Sequence, residues 1–231
     1  MNIIYEDNHL IAINKRCGDI VQGDKTGDEP LPDKIKEYIR VNYNKTGNVF
    51  CGVIHRIDRP VSGAVVFAKT SKALVRMNQL VHDRQIEKRY WAVVKQKPPK
   101  NADTLVHYLF RDEKKNKSFA SLTPKDGYLK AELEYKVIAS SKSFHLLEIN
   151  LITGRHHQIR SQLAAIGSPI RGDLKYGFQR SNVDGTVSLH SRSLAFIHPV
   201  SLQTINIIAQ PPKDTIWDAM LAEIEKTDKK G

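Results

Sequence analysis

The sequence predicts an α+β fold with a mixed, mostly antiparallel central sheet flanked by helices and loops. Strand-like segments come in runs with helices between them. One pair of strands is joined by a polar hairpin signal at residues 140–143. The strict βαβα alternation of a parallel sheet is absent. The 231 residues suffice for one sizeable core, and no internal repeat or long linker divides them, so one domain over 1–231 is expected.

The elements follow in order. Residues 3–5 and 10–13 form two short apolar strands around the turn-forming Asp7 and Asn8. The Gly- and Asp-rich stretch 18–32 reads as loop. Ile35, Tyr38 and Ile39 keep helical spacing, with Asp33 as the expected cap. Residues 53–58 and 63–69 read as extended pieces around Arg59 and Pro60. Ser71 is expected to cap a helix whose face carries Leu74, Met77, Leu80 and Val81. The β-branched and aromatic run 89–94 predicts a strand. Residues 95–130, basic and punctuated by Pro98, Pro99, Pro124 and Gly127, predict only short strands and exposed loops. Longer strands are expected at 128–139 and 144–152. A helix is expected at 156–166, with Ile159, Leu163 and Ile166 on one side and Gly167 as its stop. Late strands at 189–198 and 204–209 precede a closing helix at 214–225.

Composition narrows the partners. Thirty-six Lys and Arg against 25 Asp and Glu leave a net charge of +11 and a pI near 9.6. Such an excess attracts polyanions, of which nucleic acid is the commonest, although a merely solvated basic surface has the same composition. No stretch approaches the roughly 18 apolar residues that cross a bilayer, and the N-terminus lacks a signal-peptide pattern. Cys17 and Cys51 are too few for a disulfide framework and are expected as plain thiols in a reducing cytoplasm. Nucleotide-phosphate loops, dinucleotide fingerprints, zinc spacings and hydrolase elbows are all missing. His156 and His157 would point about 100° apart on the expected helix, which disfavours a shared metal.

Two segments carry candidate chemistry. VIHRIDRPVSG, residues 53–63, sets His55, Arg56, Asp58 and Arg59 between apolar strands. Flanking arginines favour an ionised carboxylate, usable as nucleophile or base, and the same pattern also suits a structural ion pair. LITGRHHQIRSQLAAIGSPIRGDLKYG, residues 151–177, turns on Gly154 into a helix bearing Arg155, His156, His157, Gln158 and Arg160. That end could attract phosphate or carboxylate, or be a solvated face over the Ile159 and Leu163 stripe.

Together these segments resemble the RluA-type family of RNA pseudouridine synthases. HRIDRPVSG is similar to the family's HRLDxxTSG. The opening IIYEDNHLIAINKRCG, the run KRYWAVV, the 153–177 stretch and LHSRSLAFIHP resemble further family stretches in the same order. The resemblance implies the pseudouridine synthase fold with its cleft across the sheet, and Asp58 as the catalytic aspartate. It implies Arg56, Tyr90, Ile159 and Arg160 as substrate-binding residues, with Arg160 pairing the aspartate and Tyr90 lying against a flipped uracil. Ile57 stands for the family's Leu, and Val61 for its usual Thr. The chain opens on the catalytic stretch, so no separate N-terminal S4 RNA-binding domain is expected. The implied activity is isomerisation of uridine in ribosomal or transfer RNA to pseudouridine, without cofactor or metal, by a monomer. The alternative is a non-catalytic basic RNA-binding or ribosome-assembly factor. Lys114, Lys115 and Lys117 are candidate phosphate contacts or an ordinary charged loop.

Overall fold

The computed structural model describes residues 1–23 and 27–228, so residues 24–26 of the expected loop lie outside the described residues. The elements run β1 (Ile3–Glu6), β2 (Leu10–Lys15), α1 (Leu31–Asn42), β3 (Gly52–Val53), β4 (Ser62–Ala68), α2 (Ser71–His82), β5 (Glu87–Val94), β6 (Ala102–Asp112), β7 (Lys117–Ser121), β8 (Leu129–Ser140), β9 (His145–Leu151), α3 (Gln158–Ala165), a short 3-10 turn (Leu174–Tyr176), β10 (Leu189–Ile197), β11 (Thr204–Ile208) and α4 (Thr215–Asp228). The α+β class is as the sequence predicts. Two compact units make up the chain: Met1–Glu87 with Ser191–Gln210, and Lys88–His190 with Pro211–Gly231.

In the first unit the strand order is β1-β2-β4-β10, with β3 on β4 and β11 on β10. The pairs β1/β2, β2/β4, β3/β4 and β10/β11 are antiparallel. Every residue of β4 is buried, which suits its unbroken run of small and apolar side chains. Its core gathers Leu10, Ala12, Val66, Met77, Phe196 and Ile207. Helix α1 begins earlier than expected. Pro30 takes the cap position and Pro32 lies in the first turn, where a missing N–H costs nothing. Asp33 sits inside that turn rather than capping it. Helix α2 is capped by Thr70, whose Oγ1 accepts the Ala73 N–H at 3.1 Å, so the cap is one residue before the expected Ser71.

In the second unit the order is β5-β9-β8-β6-β7, antiparallel at every step. Trp91, Val93, Leu146, Trp217 and Met220 form a core between this sheet and α4. The 95–130 region departs from expectation, since β6 is an eleven-residue strand. Its inward positions Leu105, His107 and Leu109 are buried, while Val106 and Phe110 point outward and are exposed. A polar residue inside and apolar residues outside invert the pattern that marks a strand.

Candidate active-site residues

In the first unit, residues 54–61 carry the proposed carboxylate on a stretch without helix or strand. Ile54 and Ile57 are buried and anchor it, leaving Arg56 exposed and Asp58 half-buried. The Asp58 carbonyl accepts the Val61 N–H at 3.0 Å and closes a tight turn through Arg59 and Pro60. Val61 is itself buried, a setting that suits a methyl where the family commonly carries a hydroxyl. The Arg59 carbonyl receives two donors, the Gly18 N–H at 2.9 Å and the Lys15 ammonium at 3.1 Å. Lys15 also donates to the Arg16 carbonyl at 2.9 Å. Lys15 is only 1 % exposed. Burial pushes its ammonium down to about 8, against the opposing pull of Cys17, Asp19 and Asp58 and with a further push from Arg59.

The histidine and arginine side chains of the HRIDRPVSG stretch have partners within the first unit. His55 Nε2 accepts the Val66 N–H at 3.1 Å. Gly63 has φ +117°, and a Cβ there would lie 2.3 Å from the Ser191 carbonyl oxygen, so only glycine fits. Arg56 Nη1 donates to Gln22 Oε1 at 2.9 Å, and Arg59 Nη2 to Asp28 at 2.6 Å. The late His-Pro pair is structural too. His198 Nδ1 accepts the N–H groups of Val200 and Ser201, and its Nε2 lies 2.9 Å from Asp7 Oδ2. Burial would raise the Asp7 carboxyl. The Tyr5 hydroxyl, the His9 and Leu10 N–H groups and His198 outweigh that and hold it below its usual range.

In the second unit, Tyr90 lies opposite Ile149 in the β5/β9 ladder and is 6 % exposed. Ile159 and Arg160 are buried on the first turn of α3. That helix starts at Gln158, two residues later than expected, because His157 is left-handed at φ 52°. The preceding turn is pinned by Gln158. Its Oε1 accepts the Thr153 hydroxyl at 2.8 Å and the Arg155 N–H at 2.9 Å, and its Nε2 donates to the Glu132 carbonyl. The directional argument for the two histidines therefore fails. Neither lies in the helix, and their rings stack with centroids 3.8 Å apart.

Arg160 is gripped by a side chain that no sequence pattern singles out. Its Nε and Nη2 donate to the two oxygens of Asp173 at 2.7 and 2.9 Å, with both residues buried. A fork-to-fork pair of this kind fixes the plane of the guanidinium. The guanidinium carbon lies 5.1 Å from the centre of the Tyr176 ring. The Tyr176 hydroxyl accepts the Ser118 N–H at 2.8 Å and lies 3.0 Å from His157 Nδ1. Lys15 and Asp173 are thus the residues that sequence reasoning missed. Lys15 has a visible signal, because it is in phase with the buried Ile11 and Ile13 of its strand. Among the described residues, no group of three His, Cys, Asp or Glu could hold a metal ion, and no helix is long and apolar enough to cross a membrane.

Known proteins resemble this chain in both sequence and fold. Residues 9–165 match the family model described as RNA pseudouridylate synthase. A Bacillus subtilis protein named as an uncharacterised RNA pseudouridine synthase, YhcT, is 31 % identical over 218 residues, covering 93 % of this chain and 70 % of its own. A Zymomonas mobilis protein named ribosomal large subunit pseudouridine synthase D is 30 % identical over 230 residues, with the same coverage. Among solved structures, human RNA pseudouridylate synthase domain containing 4 superposes with a TM-score of 0.79 at 24 % identity. The match covers 97 % of this chain and 93 % of that one, which is evidence for the fold. Matched over most of its length by both sequence and fold, the chain belongs to the RNA pseudouridylate synthase family.

Proposed function

We propose that the protein isomerises uridine to pseudouridine in ribosomal RNA, transfer RNA or both, with Asp58 as the catalytic carboxylate. Family membership supports the reaction. The observation that carries the residue assignment is the HRIDRPVSG stretch, whose one carboxylate sits half-buried on a turn tied to a buried ammonium. The relatives named for the ribosomal large subunit support ribosomal RNA as the first substrate to try.

The reaction breaks the N1–C1′ bond, turns the uracil and joins C5 to C1′. The proton on C5 leaves and N1 ends as N–H. The sum of atoms and electrons is unchanged, so the proposal includes no cofactor. A stacked base is shielded, so the uridine must be flipped out, which costs a few kcal/mol and is cheapest in loops. Tyr90 and Ile159 are proposed to offer apolar surface to the uracil, and Arg160, oriented by Asp173, to support the carboxylate chemistry. Exposed Arg56 is proposed to contact a neighbouring phosphate or fill the space the base vacates. The proposal treats residues 1–231 as one catalytic domain acting as a monomer in the cytoplasm.

The test is a pseudouridine map of total RNA from cells with and without the gene, joined to reaction of the purified protein with RNA from the deletion strain. A uridine modified only when the protein is present supports the assignment. Tight RNA binding without pseudouridine at any position would establish the non-catalytic RNA-binding reading in its place.

A further inference from the structure

We infer that the exposed face of the β6–β7 hairpin is a stacking platform for unpaired bases of the substrate RNA. This rests on the proposed activity for the identity of the RNA. Phe110 and Phe119 face each other across the β6/β7 ladder and are 40 % and 38 % exposed. Tyr128, turned back by the bend at residues 125–128, stacks on Phe110 with ring centroids 5.4 Å apart. Three aromatic rings on one open sheet face are hard to account for as core, since they cover little.

Lysines surround these rings. Lys115 and Lys117 hold their ammonium groups 5.8 and 5.5 Å from the centre of the Phe119 ring, and Lys125 lies 5.8 Å from that of Tyr128. Residues 111–130 carry six Lys and Arg against three Asp and Glu. Asp112 takes a share of Lys115, at 3.9 Å, and the remaining excess favours an anion. Flat apolar rings rimmed by ammonium groups match one chemistry best, a single strand whose bases stack while its phosphates meet lysine. An apolar protein partner would gain nothing from the lysines, and a duplex has no free base faces to offer.

The platform is also anchored toward the Arg160 cluster. Lys117 lies 5.2 Å from the centre of the Tyr176 ring, which also lies beside the Arg160 guanidinium. Ser118 Oγ donates to the His156 carbonyl at 2.6 Å, and Lys175 donates to the Asn116 carbonyl at 2.8 Å. The hairpin is therefore a fixed finger. Bases stacked on it would belong to the strand flanking the target uridine, which makes the platform a source of sequence-tolerant affinity for loops over helices.

The experiment uses the full chain, a labelled twelve-nucleotide oligouridylate and a blunt RNA duplex of equal length. Phe119→Leu and Tyr128→Leu keep apolar bulk but lose the stacking face. Together they should weaken oligouridylate binding about tenfold or more, with little change in duplex binding, salt dependence or unfolding midpoint. Lys115→Gln with Lys125→Gln should instead flatten the salt slope by roughly 0.7 for each phosphate that the two side chains no longer neutralise. Oligouridylate affinity unchanged in the Leu variants overturns the platform. So does equal weakening for strand and duplex. Wild-type self-association in sedimentation that the Leu variants abolish, with RNA affinity intact, would also overturn it and make the face a protein contact. Pseudouridine formation is scored separately. An inactive wild type with ring-dependent strand binding sinks the enzyme reading and spares the platform, and an active wild type with ring-independent binding does the reverse.

Discussion

The turn bearing Asp58 and the cluster bearing Arg160 are both held by buried charge, but in opposite ways. At the Asp58 turn a single ammonium, Lys15, reaches main-chain carbonyls of Arg16 and Arg59. At Arg160 the charge is answered by another charge, Asp173, and the guanidinium lies over the Tyr176 ring, whose hydroxyl accepts the Ser118 main-chain N–H and lies beside His157. A turn whose carbonyls are held by a buried ammonium is exposed to the titration of that group. A network of side chains is weakened when a partner is removed, most of all when that partner carries the opposing charge. This difference sets what each substitution should do.

The largest effect is expected at the turn itself. Asp58→Asn retains shape and removes the carboxylate, and because the backbone carries the turn, the fold should be untouched. Pseudouridine formation should fall roughly 10³-fold or more, with RNA affinity and unfolding midpoint near wild type. Full modification by the purified variant would remove Asp58 from the mechanism.

Next comes the side-chain network. Asp173→Asn removes the carboxylate that grips buried Arg160 through two hydrogen bonds, and breaking a buried ion pair typically costs about 3–5 kcal/mol. Chemical denaturation should show that loss, while Arg160→Met combined with Asp173→Asn should recover part of it. If Asp173→Asn alone unfolds at the wild-type midpoint, Arg160 has an alternative partner and the network description is wrong.

How much of this is legible in the sequence follows from the same contrast. The α+β class, the β8/β9 hairpin and the HRIDRPVSG turn can be read because the relevant signals are local: alternation, turn residues and motif spacing. Strand β6 is hidden because His107 faces inward while Val106 and Phe110 face out. Helix α3 starts two residues later than its spacing predicts because His157 adopts a left-handed backbone that propensity does not announce. Asp173 lies thirteen residues beyond Arg160, and their pairing depends on the path of the intervening chain. Lys15 is the exception. It is visible as a charged residue in an inward register, and what cannot be read is which carbonyls it reaches.

Lys15 gives the pH-dependent prediction. Its folded ammonium titrates near 8 against an ordinary 10.5, so between those values the native state binds fewer protons than the unfolded chain. Stability from this group should therefore rise with pH across that window, by about 3 kcal/mol in all. Activity should move the other way, declining above about pH 8 as the Arg16 and Arg59 carbonyls lose a charged donor. Lys15→Met should lower activity at neutral pH and abolish both trends. Unfolding midpoints and initial rates taken from neutral to alkaline pH test this. An alkaline activity limb that persists in Lys15→Met would assign the titration to another group.

The smallest effect separates the two things Tyr176 does. Its hydroxyl receives the buried Ser118 N–H, and its ring lies beside Arg160 and Lys117. Tyr176→Phe keeps the ring contacts and strands one buried donor, a loss of about 1–3 kcal/mol. Tyr176→Leu removes the hydroxyl and the ring. If the ring contributes through its contact with the guanidinium, Leu should be worse than Phe by about 0.5–2 kcal/mol, measured by urea denaturation at neutral pH. Equal losses would mean that the hydroxyl alone matters, and that Arg160 is fixed by Asp173 without help from the aromatic face.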